Sequence, residues 1–168
     1  EQRMEKHAAE RFTRDHSIGS EYNSKVFNTI REAFFLLKSG LRKYTQFREP
    51  GEKGDRHVIF PVGGWIDRFA GTHIHLGLRK KGIRYEEAKD LAGRLHDHIP
   101  FLIALSANSP VWREKITAHA SNRLLRGGDT YCKITKREVL YKHRFREITF
   151  NKGGKKKPPT LEIRVCDS

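Results

Sequence analysis

Only two cysteines, Cys132 and Cys166, occur among the 168 residues. Their spacing matches no metal-ligand pattern, and two are too few for a disulfide framework, so a reducing compartment and a cytoplasmic location are expected. No apolar run approaches the roughly 20 residues of a membrane span, and nothing at the start reads as a secretory signal. Acidic residues are the other shortage: 20 Asp and Glu stand against 34 Lys and Arg, a formal net charge of +14 with histidine neutral. That balance favours polyanions, among them nucleic acid, acidic membrane and nucleotide phosphates, without choosing between them. With 36% hydrophobic residues the chain can bury one sizeable core, so a single domain over 1–168 is expected. There is no internal repeat. The start at Glu1 without an initiator methionine, and the stop at Ser168 just past a strand-like run, read as marks of a fragment or processed piece.

Residues 1–16 are polar and charged and suggest at most a short helix. At Thr29 the run T-I-R-E reads as a capping box, and Ile30, Phe34, Leu37 and Leu41 recur at helical spacing, predicting a helix over 29–46. Pro50, Gly51 and Gly54 break the pattern, and HVIFPVGGW reads as a strand entering a Gly-Gly turn. Ala88, Leu91, Ala92, Leu95, Ile99 and Leu102 predict a second long helix over 85–105, kinked at Pro100. SANSP (106–110) reads as a loop, and 113–122 as a short helix or irregular. REVLYKHRFREITF is helix or strand and TLEIRV a strand, with NKGGKKKPP a mobile loop between them.

Side chains alternate across a strand, so in AGTHIHLGL (70–78) Thr72, Ile74, Leu76 and Leu78 share one face while His73, His75 and Gly77 share the other. In TLEIRV, Leu161, Ile163 and Val165 face a core and leave Glu162 and Arg164 together on the opposite side. A carboxylate beside a guanidinium supplies a hard-metal ligand and a planar phosphate clamp. Each motif alone has an ordinary reading, two surface imidazoles or a same-face salt bridge. Together they predict one sheet with a face packed by the two helices and an opposite face lining a cleft.

GTHIHLGL, a helix leading into IPFLIALSANSPVW, then ASNR, then TLEIRVCDS, taken in this order, resemble the glutamate-cysteine ligase type 2 (carboxylate-amine ligase) family, with ALSANSP the most specific block and a likeness running from about Ser17 to Ser168. The resemblance implies an α+β, glutamine synthetase-like fold: a curved, mainly antiparallel sheet whose open face binds ATP and Mg²⁺, with helices behind. It implies a ligase that phosphorylates a small-molecule carboxylate and lets an amine displace the phosphate. By position it makes His73 a metal ligand, His75 a phosphate neighbour, Glu162 a second metal ligand, Arg164 a clamp on the transferred phosphoryl group and Arg123 a contact to substrate carboxylate or phosphate. The family's opening G-x-E-x-E strand has no counterpart before Thr29, so the fold is expected to be incomplete at the N-terminus. SIGSEYNSKVF (17–27) resembles the family's next acidic strand, with Glu21 as the candidate carboxylate for the metal.

Two other readings compete. A basic nucleic-acid-binding module is motivated by the +14 charge, RKKG and KGGKKKPP, but those runs sit in predicted loops without interleaved aromatics. A non-catalytic or split ligase relative would take the missing acidic strand from a second chain. Oligomeric state, including a homo-oligomer, and the identity of carboxylate and amine are open.

Overall fold

The computed structural model describes residues 10–15, 19–46, 67–126, 147–155 and 157–167. They fall into two compact units, Glu1–Pro61 and Val62–Ser168, each described by itself. The expected strand at HVIFPVGGW and all of REVLYKHRF lie outside the described residues, as does Cys132.

In the first unit, Arg11–Asp15 (β1) and Gly19–Asn23 (β2) pair antiparallel, from Arg11↔Asn23 to Asp15↔Gly19. Where the sequence suggested a short helix, residues 11–15 are therefore a strand; the stretch has too few apolar residues to define a helical face, and cross-strand pairing decides. The acidic strand expected in 17–27 is present as β2. Helix α1 spans Ile30–Gln46. The Glu32 amide donates to Thr29 Oγ1 (3.1 Å), and Glu32 Oε2 accepts from the Asn28 amide (2.9 Å), so the carboxylate reaches one residue further back than a standard capping box. The helical stripe Ile30, Phe34, Leu37 and Leu41 remains exposed.

Tyr22 ties this unit together. Its single hydroxyl proton is shared between Glu10 Oε1 (2.9 Å) and the Leu36 carbonyl (3.1 Å), and its ring lies so close to Gly40 that a Cβ there would overlap it. Burial, then the Glu10 carboxylate, push the phenol up to about 12. Folded Tyr22 thus keeps its proton where the unfolded chain, with a pKa near 10, loses it. Stability from this group is complete below about pH 10 and lost as pH rises towards 12. The expected outcome is an alkaline unfolding step, followed by circular dichroism, that moves in Tyr22→Phe.

In the second unit, Gly71–Leu76 (β3), Ile148–Asn151 (β6) and Thr160–Asp167 (β7) form an antiparallel sheet ordered β3-β7-β6. Registers Ile74↔Ile163↔Ile148 and Leu76↔Leu161↔Phe150 align two apolar rows on one face, as strand alternation requires. Helices α2 (Tyr85–His96) and α3 (Ile99–Ser106) pack on that face, enclosing Ile83, Ala88, Ala92, Ile99, Leu161 and Val165.

The single kinked helix expected over 85–105 is two helices. Pro100 sits in the first turn of α3, where its missing N–H costs no helical bond, and the chain breaks at Asp97–His98 ahead of it. Both helices covering the sheet therefore come from the one segment expected to form a single helix. Residues 113–122 are not a helix: Val111–Trp112 (β4) and Lys115–Ile116 (β5) form a hairpin whose two turn residues, Arg113 and Glu114, have φ of 48° and 62°. Helix α4 (Asn122–Arg126) starts only after it. The architecture is α+β with antiparallel sheets. Among the described residues no helix is long and apolar enough to cross a membrane.

Candidate functional site

The polar face is built by register. His75 lies directly opposite Glu162, and Glu162 opposite Thr149, so an imidazole, a carboxylate and a hydroxyl form one row across β3, β7 and β6. One step along, the register slips between Thr72 and Ile74: Arg164 and Val165 of β7 together oppose the single residue His73. This β-bulge bends β7 and re-aims its side chains, as bulges do beside functional sites.

Three predicted residues meet there. Arg164 Nη1 pairs with Glu162 Oε1, and His73 Nδ1 stands 3.4 Å from the same oxygen. Glu162 is buried, whereas His75 is exposed and its Nδ1 bonds Thr160 Oγ1 at 2.9 Å. The face is thus open at His75 and closed at its central carboxylate. Burial, then the Arg164 guanidinium, push the His73 imidazole down to about 4 against the pull of Glu162. At neutral pH the ring is uncharged and keeps a lone pair for an electrophile. Arg164 Nε is buried with no hydrogen-bond partner among the described residues.

Arg123, for which the resemblance implies a substrate contact, is buried. It is 1% exposed beneath the sheet end, and its guanidinium donates to the carbonyls of Arg164 (2.6 Å) and Val165 (3.3 Å). Those are the two residues of the bulge, whose carbonyls the disrupted ladder leaves in need of donors. Asp167 Oδ1, 3.5 Å from Nη1, balances the charge, and its Oδ2 accepts from the Asn108 amide (3.0 Å). Arg123 holds the strand that carries Glu162 and Arg164.

The loop motifs lock the same corner. Ser109 bridges Ser121; the Asn122 amide and Nδ2 both donate to the Ser109 carbonyl (2.8 and 3.0 Å), and Nδ2 also reaches Thr117 Oγ1 at 2.8 Å. Arg126 Nε donates to Asn122 Oδ1 (2.8 Å) while its guanidinium lies 3.8 Å from the centre of the Trp112 ring. SANSP after Ser106 is therefore the loop expected of it, and its backbone, rather than its side chains, clasps ASNR and the C-terminal strand.

Sequence reasoning missed Asp167, Thr149, Asn122 and Gly71. Gly71 lies opposite Asp167, and a Cβ on it would overlap the Arg123 guanidinium. Gly71→Ala is expected to destabilise the second unit by about 1–3 kcal/mol through overpacking, measured by thermal melting; an unchanged midpoint would show that Arg123 does not need that space. Glu21 belongs to the first unit, on β2, exposed, its Oε2 accepting from Thr13 Oγ1 at 3.1 Å. Among the described residues no three His, Cys, Asp or Glu side chains cluster to hold a metal.

Residues 56–130 match the sequence model of glutamate-cysteine ligase family 2. The protein named "Putative glutamate--cysteine ligase 2" of Corynebacterium glutamicum is 32% identical over 95 residues, covering 54% of this chain and 24% of that protein. Proteins of the same name from Leifsonia xyli and Ruegeria pomeroyi are 34% identical over 85 residues (49% and 21% covered) and 37% over 65 (38% and 16%). The chain therefore spans about a quarter or less of the curated relatives it matches. No solved structure matches it.

Proposed function

We propose that the chain, whose residues 56–130 match the sequence model of glutamate-cysteine ligase family 2, forms part of the catalytic face of an ATP- and Mg²⁺-dependent carboxylate-amine ligase with a glutamine synthetase-like fold. The observation that carries this reading is the meeting of His73, Glu162 and Arg164 at one bulge of the sheet. Two of the three lie beyond the matched segment, on a strand that the fold sets beside it.

The donor set suits Mg²⁺. This ion keeps several waters and takes one or two carboxylates plus substrate phosphates, so Glu162 would be its oxygen ligand from this chain with His73 a further neighbour, whereas an ion caged wholly by protein would need more ligands. Bound ATP and Mg²⁺ would supply the phosphoryl group that converts a carboxylate to an acyl phosphate, from which the amine displaces inorganic phosphate. Phosphoryl transfer asks the protein mainly for positioning and charge neutralisation. Arg164, oriented by Glu162 and with a buried Nε lacking a partner, offers donors to a phosphoryl oxygen. Neutral His73 can bind a cation without first losing a proton. Exposed His75, braced by Thr160, stands beside Glu162 for a second phosphate contact.

The test uses the full-length protein. Glutamate and cysteine, the pair in the relatives' name, are offered with ATP and Mg²⁺. The expected result is ADP release that needs the metal, the carboxylate and the amine together; ADP release indifferent to carboxylate and amine would refute the ligase reading.

A further inference from the structure

The two lysine runs that the ligase reading leaves unused are brought together by the fold. Residues 79–82 make a tight turn closed by two backbone bonds, Arg79 N–H to the Gly82 carbonyl (3.2 Å) and Gly82 N–H to the Arg79 carbonyl (2.8 Å), with Lys80 and Lys81 at its tip. Gly154 and Lys157 exchange backbone bonds in the same way, Gly154 N–H to the Lys157 carbonyl (2.9 Å) and back (3.3 Å), with Lys155 and Lys157 exposed. The segments that follow the turns are tied together: the Ile83 amide donates to the Pro159 carbonyl (3.0 Å). Gly82, at φ +93°, packs so closely on Pro159 that any Cβ would collide with it. Only glycine meets both demands.

The charge at this place is not relieved locally. Arg79 and Arg84 share one carboxylate, Glu87, and so leave one positive charge in excess. Lys80, Lys81, Lys155 and Lys157 are exposed and make no ion pair among the described residues. Four lysines carried on two turns whose flanking segments are bonded together concentrate positive charge, and a polyanion with closely spaced charges complements it.

We propose that the paired turns 79–82 and 154–157 form a docking surface for the phosphate backbone of double-stranded nucleic acid, bound without regard to sequence. The groups presented are lysines, point charges that suit phosphate oxygens, rather than the planar forks that read base edges. Among the described residues, the aromatic rings next in sequence to the turns, Tyr85 and Phe150, are packed edge-to-face 5.3 Å apart against the core and offer unpaired bases no stacking platform. Among the described residues Leu78 is the large exposed apolar side chain adjoining the turns in sequence, too little for insertion into a lipid surface. The surface is independent of the ligase reading and needs neither ATP nor metal.

The test titrates the full chain with a fluorescein-labelled RNA duplex, by anisotropy, over a series of salt concentrations. Wild type is expected to bind saturably, with affinity falling steeply as salt rises. The combined Lys80→Gln, Lys81→Gln, Lys155→Gln and Lys157→Gln variant is expected to bind at least ~10-fold more weakly at low salt and to flatten the log–log salt slope by about 3 to 4. A control with the same charge change elsewhere, Lys25→Gln, Lys38→Gln, Arg42→Gln and Lys115→Gln, is expected to change affinity less than ~3-fold, with both variants melting like wild type. Equal weakening by the two variants would reduce the effect to net charge and overturn the proposal. So would the absence of saturable binding by wild type, or tighter binding to phosphatidylserine–phosphatidylcholine vesicles than to the duplex.

Discussion

Arg123→Met is expected to lower the unfolding free energy of the chain by about 3–5 kcal/mol, the usual cost of removing one partner from a buried ion pair. The side chain is 1% exposed, and methionine replaces its volume without its donors. Three acceptors then lose their partner: the carbonyls of Arg164 and Val165 and the carboxylate of Asp167. Asp167 keeps the Asn108 amide but has no counter-charge of its own among the described residues. The measurement is urea denaturation of wild type, Arg123→Met, Asp167→Asn and the double variant. Because the residues touch, the single costs should not add, and the double variant should be less destabilised than their sum by about 0.5–3 kcal/mol. A cost below about 1 kcal/mol for Arg123→Met would show that the bulge does not depend on this guanidinium, and the positioning role would fall.

The polar face was legible because strand periodicity is short-range information. Alternation alone puts His73 and His75 on one side of Ile74, and Glu162 and Arg164 on one side of Ile163, and the structure keeps both assignments. That the two strands are neighbours was inferred from chemistry and is a long-range fact; register then sets His75 opposite Glu162. The bulge was not legible. It is one extra residue in β7 relative to β3, visible only once both strands are paired, and with it went the structural role of Arg123, which the resemblance reads only as a substrate contact. Asp167 was missed for the same reason: its partners, Asn108 and Arg123, are 59 and 44 residues away. Helix periodicity erred in the opposite way. The apolar stripe from Ala88 to Leu102 runs through the break at Asp97–His98, since the spacing of core contacts does not reveal whether the backbone between them stays hydrogen-bonded. Local competition decided residues 111–116, where two left-handed residues close a hairpin that no glycine or asparagine announces.

Glu162→Gln is expected to reduce carboxylate- and amine-dependent ADP formation by the full-length protein by about 10²-fold or more, the scale on which preorganised charge at a transferring phosphoryl group matters. Glutamine keeps an oxygen that can accept from Arg164 Nη1, so the guanidinium retains its anchor, and the melting temperature should stay near that of wild type. The loss should therefore differ in kind from that of Arg123→Met, which unfolds the strand carrying the same groups. It should also depend on the cation: if Glu162 helps hold Mg²⁺, raising the metal concentration should recover part of the rate in the variant and little in wild type. Arg164→Lys supplies the complementary contrast, since it keeps a positive charge but loses the planar fork, and its deficit should not respond to added Mg²⁺. Normal turnover by Glu162→Gln in an otherwise active protein would mean that the meeting of His73, Glu162 and Arg164 at the bulge is an ion pair that shapes the sheet, and that the chemistry lies elsewhere.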